Sequence, residues 1–150
     1  MIKEIFSANR SGAVINSELI ALIEKSIQTA LEEFDFEKGY QVSVSFVNEE
    51  EIQILNNQYR GIDRPTDVLS FPMQEKDGRG VDILGDIIIS INAAQRQAVE
   101  YSHSLEREAA YLSVHSVLHL MGYDHDCEED KLQMRSLEEI IMLKLGLERG

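Results

Sequence analysis

The sequence predicts a single α+β domain over residues 1–150, in which about five helices pack on a mixed sheet of about four strands. Strand patterns and helix patterns both occur along the chain and do not strictly alternate, which is typical of this fold class. The chain contains no internal repeat and no low-complexity linker. A length of 150 residues is enough to build one sizeable core.

The first part of the chain contains two predicted strands and two predicted helices. Apolar residues recur at helical spacing in the first helix, which Asn16 or Ser17 can cap. In the second strand, Val42, Val44 and Phe46 alternate with polar residues, which indicates a strand with one buried face. In chain order, the elements are a strand over 2–6, a helix over 17–34, a strand over 41–47 and a helix over 49–59.

The rest of the chain contains two further strands and three helices. Pro65 and Pro72 bracket the first of these strands, and the extended geometry expected before Pro65 predicts a rigid connection over 61–67. Two glycines and the lack of an apolar pattern predict an exposed, mobile loop over 73–83. The second strand is a β-branched run and should be buried on both faces. The elements are strands over 68–71 and 84–92 and helices over 93–102, 105–121 (capped by Ser104) and 128–145.

Three of the four histidines fall in one stretch, at His115, His119 and His125. His115 and His119 are four residues apart, so on a helix their imidazoles project from one face. Gly122 can end that helix with a positive φ, and the chain can then bring His125 to the same point in space. Three neutral imidazoles suit one catalytic Zn²⁺ per chain, with water in its fourth position.

Other interpretations of these residues stay open. The three histidines can be separate core or surface residues that happen to cluster. Cys127 can complete a closed structural zinc site with three histidines, or it can be an ordinary free thiol. The fourth histidine, His103, is predicted to be a polar surface residue.

The net charge of −13 argues against a protein that coats nucleic acid. Residues 57–80 nevertheless carry four basic and four acidic side chains, so this window is neutral, and its arginines can meet a phosphate locally. The single cysteine allows no internal disulfide, no apolar run is long enough to span a membrane, and the N-terminal segment lacks the apolar core of a signal peptide. These features predict a cytoplasmic protein with no membrane partner.

From His115 to His125 the spacing is H-x-x-x-H-x-x-G-x-x-H, which resembles the zinc helix and turn of the metzincin peptidases. The glutamate that metzincins use as a general base is replaced here by Ser116. Because a serine cannot take a proton from water at neutral pH, ordinary metzincin proteolysis is disfavoured.

Three stretches are specific in both spacing and residue types: LNNQYRGIDRPTDVLSFP at 55–72, LGDIIIS at 84–90 and HSVLHLMGYDHD at 115–126. Together they resemble the YbeY family of bacterial metal-dependent endoribonucleases. The resemblance implies a zinc-dependent, cytoplasmic endoribonuclease, specific for single-stranded RNA, that acts in ribosomal RNA processing, 16S rRNA 3′-end maturation and ribosome quality control. It also implies ribosomal RNA, the small ribosomal subunit and its associated proteins as partners.

The resemblance assigns roles to individual residues. The zinc ligands of the family map onto His115, His119 and His125, and its functionally important arginine maps onto Arg60. We expect His115 and Arg60 to be catalytic, and Arg60 and Arg64 to bind substrate, because a planar guanidinium matches a phosphate. The alternative for Arg60 is a surface salt bridge to Asp63 or Asp67.

Asp124 and Asp126 flank His125 and can orient the imidazoles, although Asp126 can equally cap the last helix. The segment 57–80 should form one wall of a cleft whose other wall holds the zinc. Two other classes of function are a metallopeptidase with a different base and a non-catalytic, zinc-stabilised assembly factor.

Overall fold

The computed structural model describes residues 1–124 and 126–147. The strands in this part of the chain are β1 (Ile2–Asn9), β2 (Gly39–Val47), β3 (Val68–Lys76) and β4 (Asp82–Ser90). The helices are α1 (Ser17–Leu31), α2 (Glu49–Arg60), α3 (Ile91–Glu100), α4 (Leu105–Leu120) and α5 (Glu128–Lys144). The strands form one sheet in the order β1-β2-β4-β3, with β3 antiparallel to β4 and the other pairs parallel. The predicted α+β domain with a mixed sheet is therefore confirmed.

The sheet has a large core on one face and a small core on the other. Alternate residues of β2 from Tyr40 to Phe46 face the large core, which also contains residues of α1, α4 and α5. On the opposite face, Ile52 of α2 packs with Leu69 of β3 and Ile88 of β4. Helices α4 and α2 therefore cover opposite faces of the sheet, and the edge strand β3 contacts both of them.

The helix starts follow local capping rules. Asn16 and Ser104 cap α1 and α4 as predicted, each through a side-chain oxygen that accepts a backbone N–H, at 2.7 and 3.1 Å. Helix α5 is capped by Cys127, whose exposed thiol accepts the N–H of Asp130 at 3.5 Å. The alternative in which Asp126 caps α5 is therefore wrong. None of the helices in the described residues is long and apolar enough to cross a membrane.

The predicted mobile loop over 73–83 is wrong, because β3 and β4 extend into it from both sides and form a hairpin. In the turn, the backbone N–H of Asp77 donates to the carbonyl of Val81 at 3.0 Å. The Arg79 guanidinium donates to the Asp77 carboxylate at 2.7 Å and lowers the pKa of that carboxyl. The outer half of β3 is exposed on both faces, so no apolar alternation marks it as a strand.

Strand β4 ends at Ser90 instead of continuing to residue 92, because the Ser90 side chain caps α3. Its hydroxyl oxygen accepts the N–H of Ala93 at 3.2 Å. Within the strand, Ile87 and Ile89 belong to the large core and Ile88 to the small one. The predicted burial of this strand on both faces is confirmed.

Gly85 of β4 lies where the sheet meets the C-terminal end of α4. Its φ is +138°, and a Cβ at this position would lie 2.2 Å from the carbonyl oxygen of Phe71 and 3.0 Å from the Leu120 side chain. We expect Gly85→Ala to lower the free energy of unfolding by about 2–5 kcal/mol, because it adds backbone strain to overpacking. Gly78→Ala is the matched control, since nothing lies within 4 Å of the added Cβ. Equal melting temperatures for the two variants would contradict this expectation.

Candidate metal centre

Two imidazoles meet at the C-terminal end of α4. His115 and His119 are one helical turn apart, and their Nε2 atoms lie 3.1 Å from each other. The two rings are nearly perpendicular, at 82°, with centroids 4.6 Å apart. The helical spacing predicted this convergence, and the structure confirms it for these two residues.

The other nitrogen of each ring contacts an acceptor. His119 Nδ1 lies 3.0 Å from the backbone carbonyl of Tyr123, and His115 Nδ1 lies 2.6 Å from Oε2 of Glu138. A carbonyl and a carboxylate can only accept, so both Nδ1 atoms carry the proton when the rings are neutral. Each Nε2 atom then has its lone pair, and the two lone pairs face each other.

The turn after α4 depends on Gly122, which has a φ of +95°. Its N–H donates to the carbonyl of His119 at 3.0 Å, and the N–H of Tyr123 donates to the carbonyl of Leu118 at 2.9 Å. This is a Schellman motif, which ends a helix at a residue in the left-handed region. The turn brings the Tyr123 carbonyl back to the His119 ring, so the helix end itself fixes the orientation of that imidazole.

The predicted residues that follow the turn are only partly placed. His125 lies outside the described residues, so its role as the third metal ligand stays a prediction. Asp124 and Asp126 are both exposed, and each takes part in an interaction. Their predicted role in orienting imidazoles also stays a prediction.

Glu138 and Tyr111 belong to this centre and were not identified from the sequence. Glu138 is only 6% exposed, and its Oε1 accepts the hydroxyl of Tyr111 at 3.3 Å. The Tyr111 ring stacks on His115, with centroids 5.8 Å apart. Burial raises the pKa of the Tyr111 phenol, and the nearby Glu138 carboxylate raises it further, so the hydroxyl stays protonated. One signal was available: Glu138 lies four residues after Met134 and three before Ile141, so it shares a helix face with apolar residues, where a carboxylate is unusual.

Arg60 and Arg64 are exposed at the end of α2 and in the connection to β3. This connection is held by side-chain amides, since Asn56 donates to the Arg64 carbonyl at 2.9 Å and Gln53 donates to Asp63 at 3.1 Å. The connection is thus tethered to α2 by two hydrogen bonds, and its rigidity stays a prediction. Within residues 1–124 and 126–147, neither arginine forms an ion pair, so the alternative salt bridge of Arg60 is wrong.

The other two basic residues of the window 57–80 are paired with carboxylates. Lys76 lies 3.2 Å from Asp82, and Arg79 binds both Asp77 and Glu4. Lys76 is the last residue of β3 and Arg79 lies in the turn after it, and β3 packs against α4. Of the four basic residues in this window, only Arg60 at the end of α2 and Arg64 in the connection to β3 have no ion-pair partner in the described part of the chain.

The two placed histidines fit a shared metal ion. Two nitrogens bound to one tetrahedral Zn²⁺ at about 2.0–2.1 Å lie about 3.3 Å apart, close to the 3.1 Å between the Nε2 atoms of His115 and His119. Neutral imidazole is also a preferred zinc ligand. No group of three possible metal ligands occurs among the residues that the structure describes. His115 and His119 are two of the three predicted donors, and the third, His125, lies outside these residues.

A family model described as "Endoribonuclease YbeY" matches residues 5–146. The chain belongs to the YbeY family. A protein of Thermoanaerobacter sp. (strain X514) named Endoribonuclease YbeY is 48% identical to it over 153 residues, which cover 94% of this chain and 96% of the relative. A protein of the same name from Caldanaerobacter subterraneus subsp. tengcongensis is 50% identical over 152 residues, with the same two coverages.

A solved structure supports the fold of this YbeY-family chain. The solution structure of TM1509 from Thermotoga maritima matches it with a TM-score of 0.57 and 30% sequence identity. The match covers 93% of this chain and 90% of that one. The single α+β domain is thus shared with a protein of independently determined structure.

The position of Ser116 in this YbeY-family chain argues against the metzincin reaction. Ser116 directly follows His115, at the position where metzincins have their general base. Its side chain is fully buried, and its hydroxyl has no hydrogen-bond partner among the described residues. It is therefore remote from solvent as well as chemically unsuited to accept a proton.

The prediction that His103 is an ordinary surface residue is wrong. Its side chain is 17% exposed, and its Nε2 lies 2.7 Å from the buried carboxylate of Glu108. Arg107 donates to His103 Nδ1 at 2.8 Å, so the Nε2–H donates to Glu108. This histidine fixes the turn between α3 and α4 and belongs to the structure of the domain, not to the metal centre.

Proposed function

We propose that this protein is a zinc-dependent endoribonuclease that cuts single-stranded RNA, with residues 1–150 acting as one catalytic domain. The observation that carries the proposal is the pair of Nε2 atoms of His115 and His119, 3.1 Å apart, in a chain that matches an endoribonuclease family over residues 5–146. The proposed zinc ligands are these two histidines and His125. The proposed substrate-binding residues are Arg60 and Arg64.

The residues of the centre have separate roles in the proposed reaction. When bound, zinc supplies a Lewis acid for a phosphoryl oxygen and lowers the pKa of water. His115 and His119 present nitrogen lone pairs, while Glu138 and the Tyr123 carbonyl keep the protons on the opposite ring nitrogens. Arg60 stabilises the negative charge that develops on the phosphate in the transition state.

The substrate we propose is ribosomal RNA presented within the small ribosomal subunit, in the cytoplasm. A chain with a net charge of −13 and two arginines without ion pairs in the described window 57–80 makes few phosphate contacts. Free RNA should therefore bind weakly, and a ribosomal partner would position the strand. We propose that the protein acts in 16S rRNA 3′-end maturation and in ribosome quality control, and that Asp124 and Asp126 orient the zinc ligands.

The test is an RNA cleavage assay with a single-stranded substrate, a duplex of the same sequence and casein. We expect cleavage of the single strand only, loss of cleavage after zinc is removed with a chelator, and its return when zinc is added back. Casein digestion would favour a metallopeptidase instead. Failure to cut any RNA, by a protein shown to contain zinc, would favour a non-catalytic assembly factor.

A further inference from the structure

We propose that Glu138 is a positioning residue for the metal centre and that Tyr111 holds Glu138 in place. This inference rests on the proposed function, because it requires a metal ion at His115. It concerns two residues far apart in the chain, one on α5 and one on α4. Their effect on the metal is exerted through the His115 ring.

The geometry gives each oxygen of Glu138 a separate task. Oε2 lies 2.6 Å from Nδ1 of His115, on the side of the ring opposite to the nitrogen that faces His119. Oε1 accepts the hydroxyl of Tyr111 at 3.3 Å. The Tyr111 ring lies against the His115 ring at an interplanar angle of 29°. One contact thus fixes the protonated nitrogen, and the other two limit rotation of the carboxylate and of the imidazole.

The burial of the Glu138 carboxylate is energetically unfavourable unless nearby groups compensate for it. A carboxylate that is only 6% exposed loses most of its hydration, and burial of an ion costs several kcal/mol unless nearby groups compensate. A neutral imidazole and a phenol supply hydrogen bonds but no positive charge, and Arg135, which acts on the Tyr111 phenol, is an exposed cation. A divalent cation on the far side of His115 would add positive charge along the axis of the imidazole, which favours a carboxylate at this position.

Carboxylates that hold zinc-binding histidines act in a known physical way. They select the tautomer, fix the ring plane and make the metal-facing nitrogen more basic, and their loss lowers metal affinity by about 10–100-fold. For His119 the equivalent acceptor is the backbone carbonyl of Tyr123, which no substitution removes. Glu138 is therefore the orienting group of this pair that mutation can test.

The experiment compares zinc affinity in Glu138→Ala, Glu138→Gln and Tyr111→Phe with that in the unchanged protein, by competition with a chelating dye. We expect Glu138→Ala to bind zinc about 10–100-fold more weakly. Glu138→Gln should lose less, because it keeps an acceptor but not the charge, and Tyr111→Phe should lose least. Glu139→Gln is the matched control, since Glu139 is the exposed neighbour on the same helix and should bind zinc normally.

Two further measurements separate this role from a purely structural one. Cobalt absorption spectra report ligand geometry and should change in the Glu138 variants but not in Glu139→Gln. The melting temperature of each metal-free protein shows whether it is folded, and the near-isosteric Glu138→Gln serves if Glu138→Ala does not fold. Unchanged zinc affinity in folded Glu138→Gln and Tyr111→Phe would overturn this inference alone. Failure of the unchanged protein to bind zinc would overturn the proposed metal centre instead.

Discussion

Replacement of His119 by alanine should remove zinc from the protein and lower the rate of RNA cleavage by more than about 10³-fold. Loss of a single preorganised hydrogen-bond donor lowers a rate by only about 10²–10³-fold. The reason is that this change removes one of two facing nitrogen donors that lie 3.1 Å apart. His119 is a better test than His115, because its ring contacts a backbone carbonyl, whereas His115→Ala would leave the buried Glu138 without its imidazole. Zinc content and cleavage rate are the two measurements.

The control for this variant is His103→Ala. His103 contacts the Glu108 carboxylate, which is 3% exposed. Removal of the His103 side chain should lower the melting temperature, because the buried carboxylate of Glu108 loses this partner. It should leave the zinc content of the folded protein unchanged, because His103 lies at the turn before α4 and not at its C-terminal end. A full complement of zinc in His119→Ala would contradict the assignment of the metal centre to this helix.

The part of the centre that was predictable is the part built from neighbours in the sequence. His115 and His119 share a helix face because they are four residues apart, and Gly122 ends that helix because a glycine tolerates a positive φ. The strand pattern of β2 and the caps of α1 and α4 were predictable for the same reason. Each of these features follows from local geometry.

The part that was not predictable depends on contacts between distant segments. Glu138 reaches His115 only because α5 packs on α4, and no spacing in the sequence specifies which carboxylate does so. The hairpin over 73–83 forms because β4 provides a partner for a polar stretch that has no strand pattern of its own. His103 was misassigned because its partner, Glu108, carries a charge that normally indicates an exposed position.

Arg60→Ala should lower RNA cleavage by about 10²–10³, as the loss of a single preorganised transition-state donor does. Arg60 is exposed at the end of α2, next to a connection that the side-chain amides of Asn56 and Gln53 tether to this helix. It has no ion pair within the described residues, and its removal should therefore leave the melting temperature and the zinc content nearly unchanged. Arg60→Lys should recover only part of the activity, because lysine keeps the charge but not the planar fork.

Arg96→Ala is the matched control for Arg60, since Arg96 is an exposed arginine on α3 that pairs with Glu49. A surface ion pair of this kind contributes only about 0–1 kcal/mol, so this variant should cleave RNA normally. The comparison distinguishes a local phosphate contact from a general effect of net charge, because each variant changes the net charge of the protein from −13 to −14. If both variants lost activity equally, and the loss disappeared at high salt, long-range electrostatics would explain it and Arg60 would have no specific contact with the substrate. A loss confined to Arg60→Ala, with zinc retained, would place its guanidinium at the scissile phosphate.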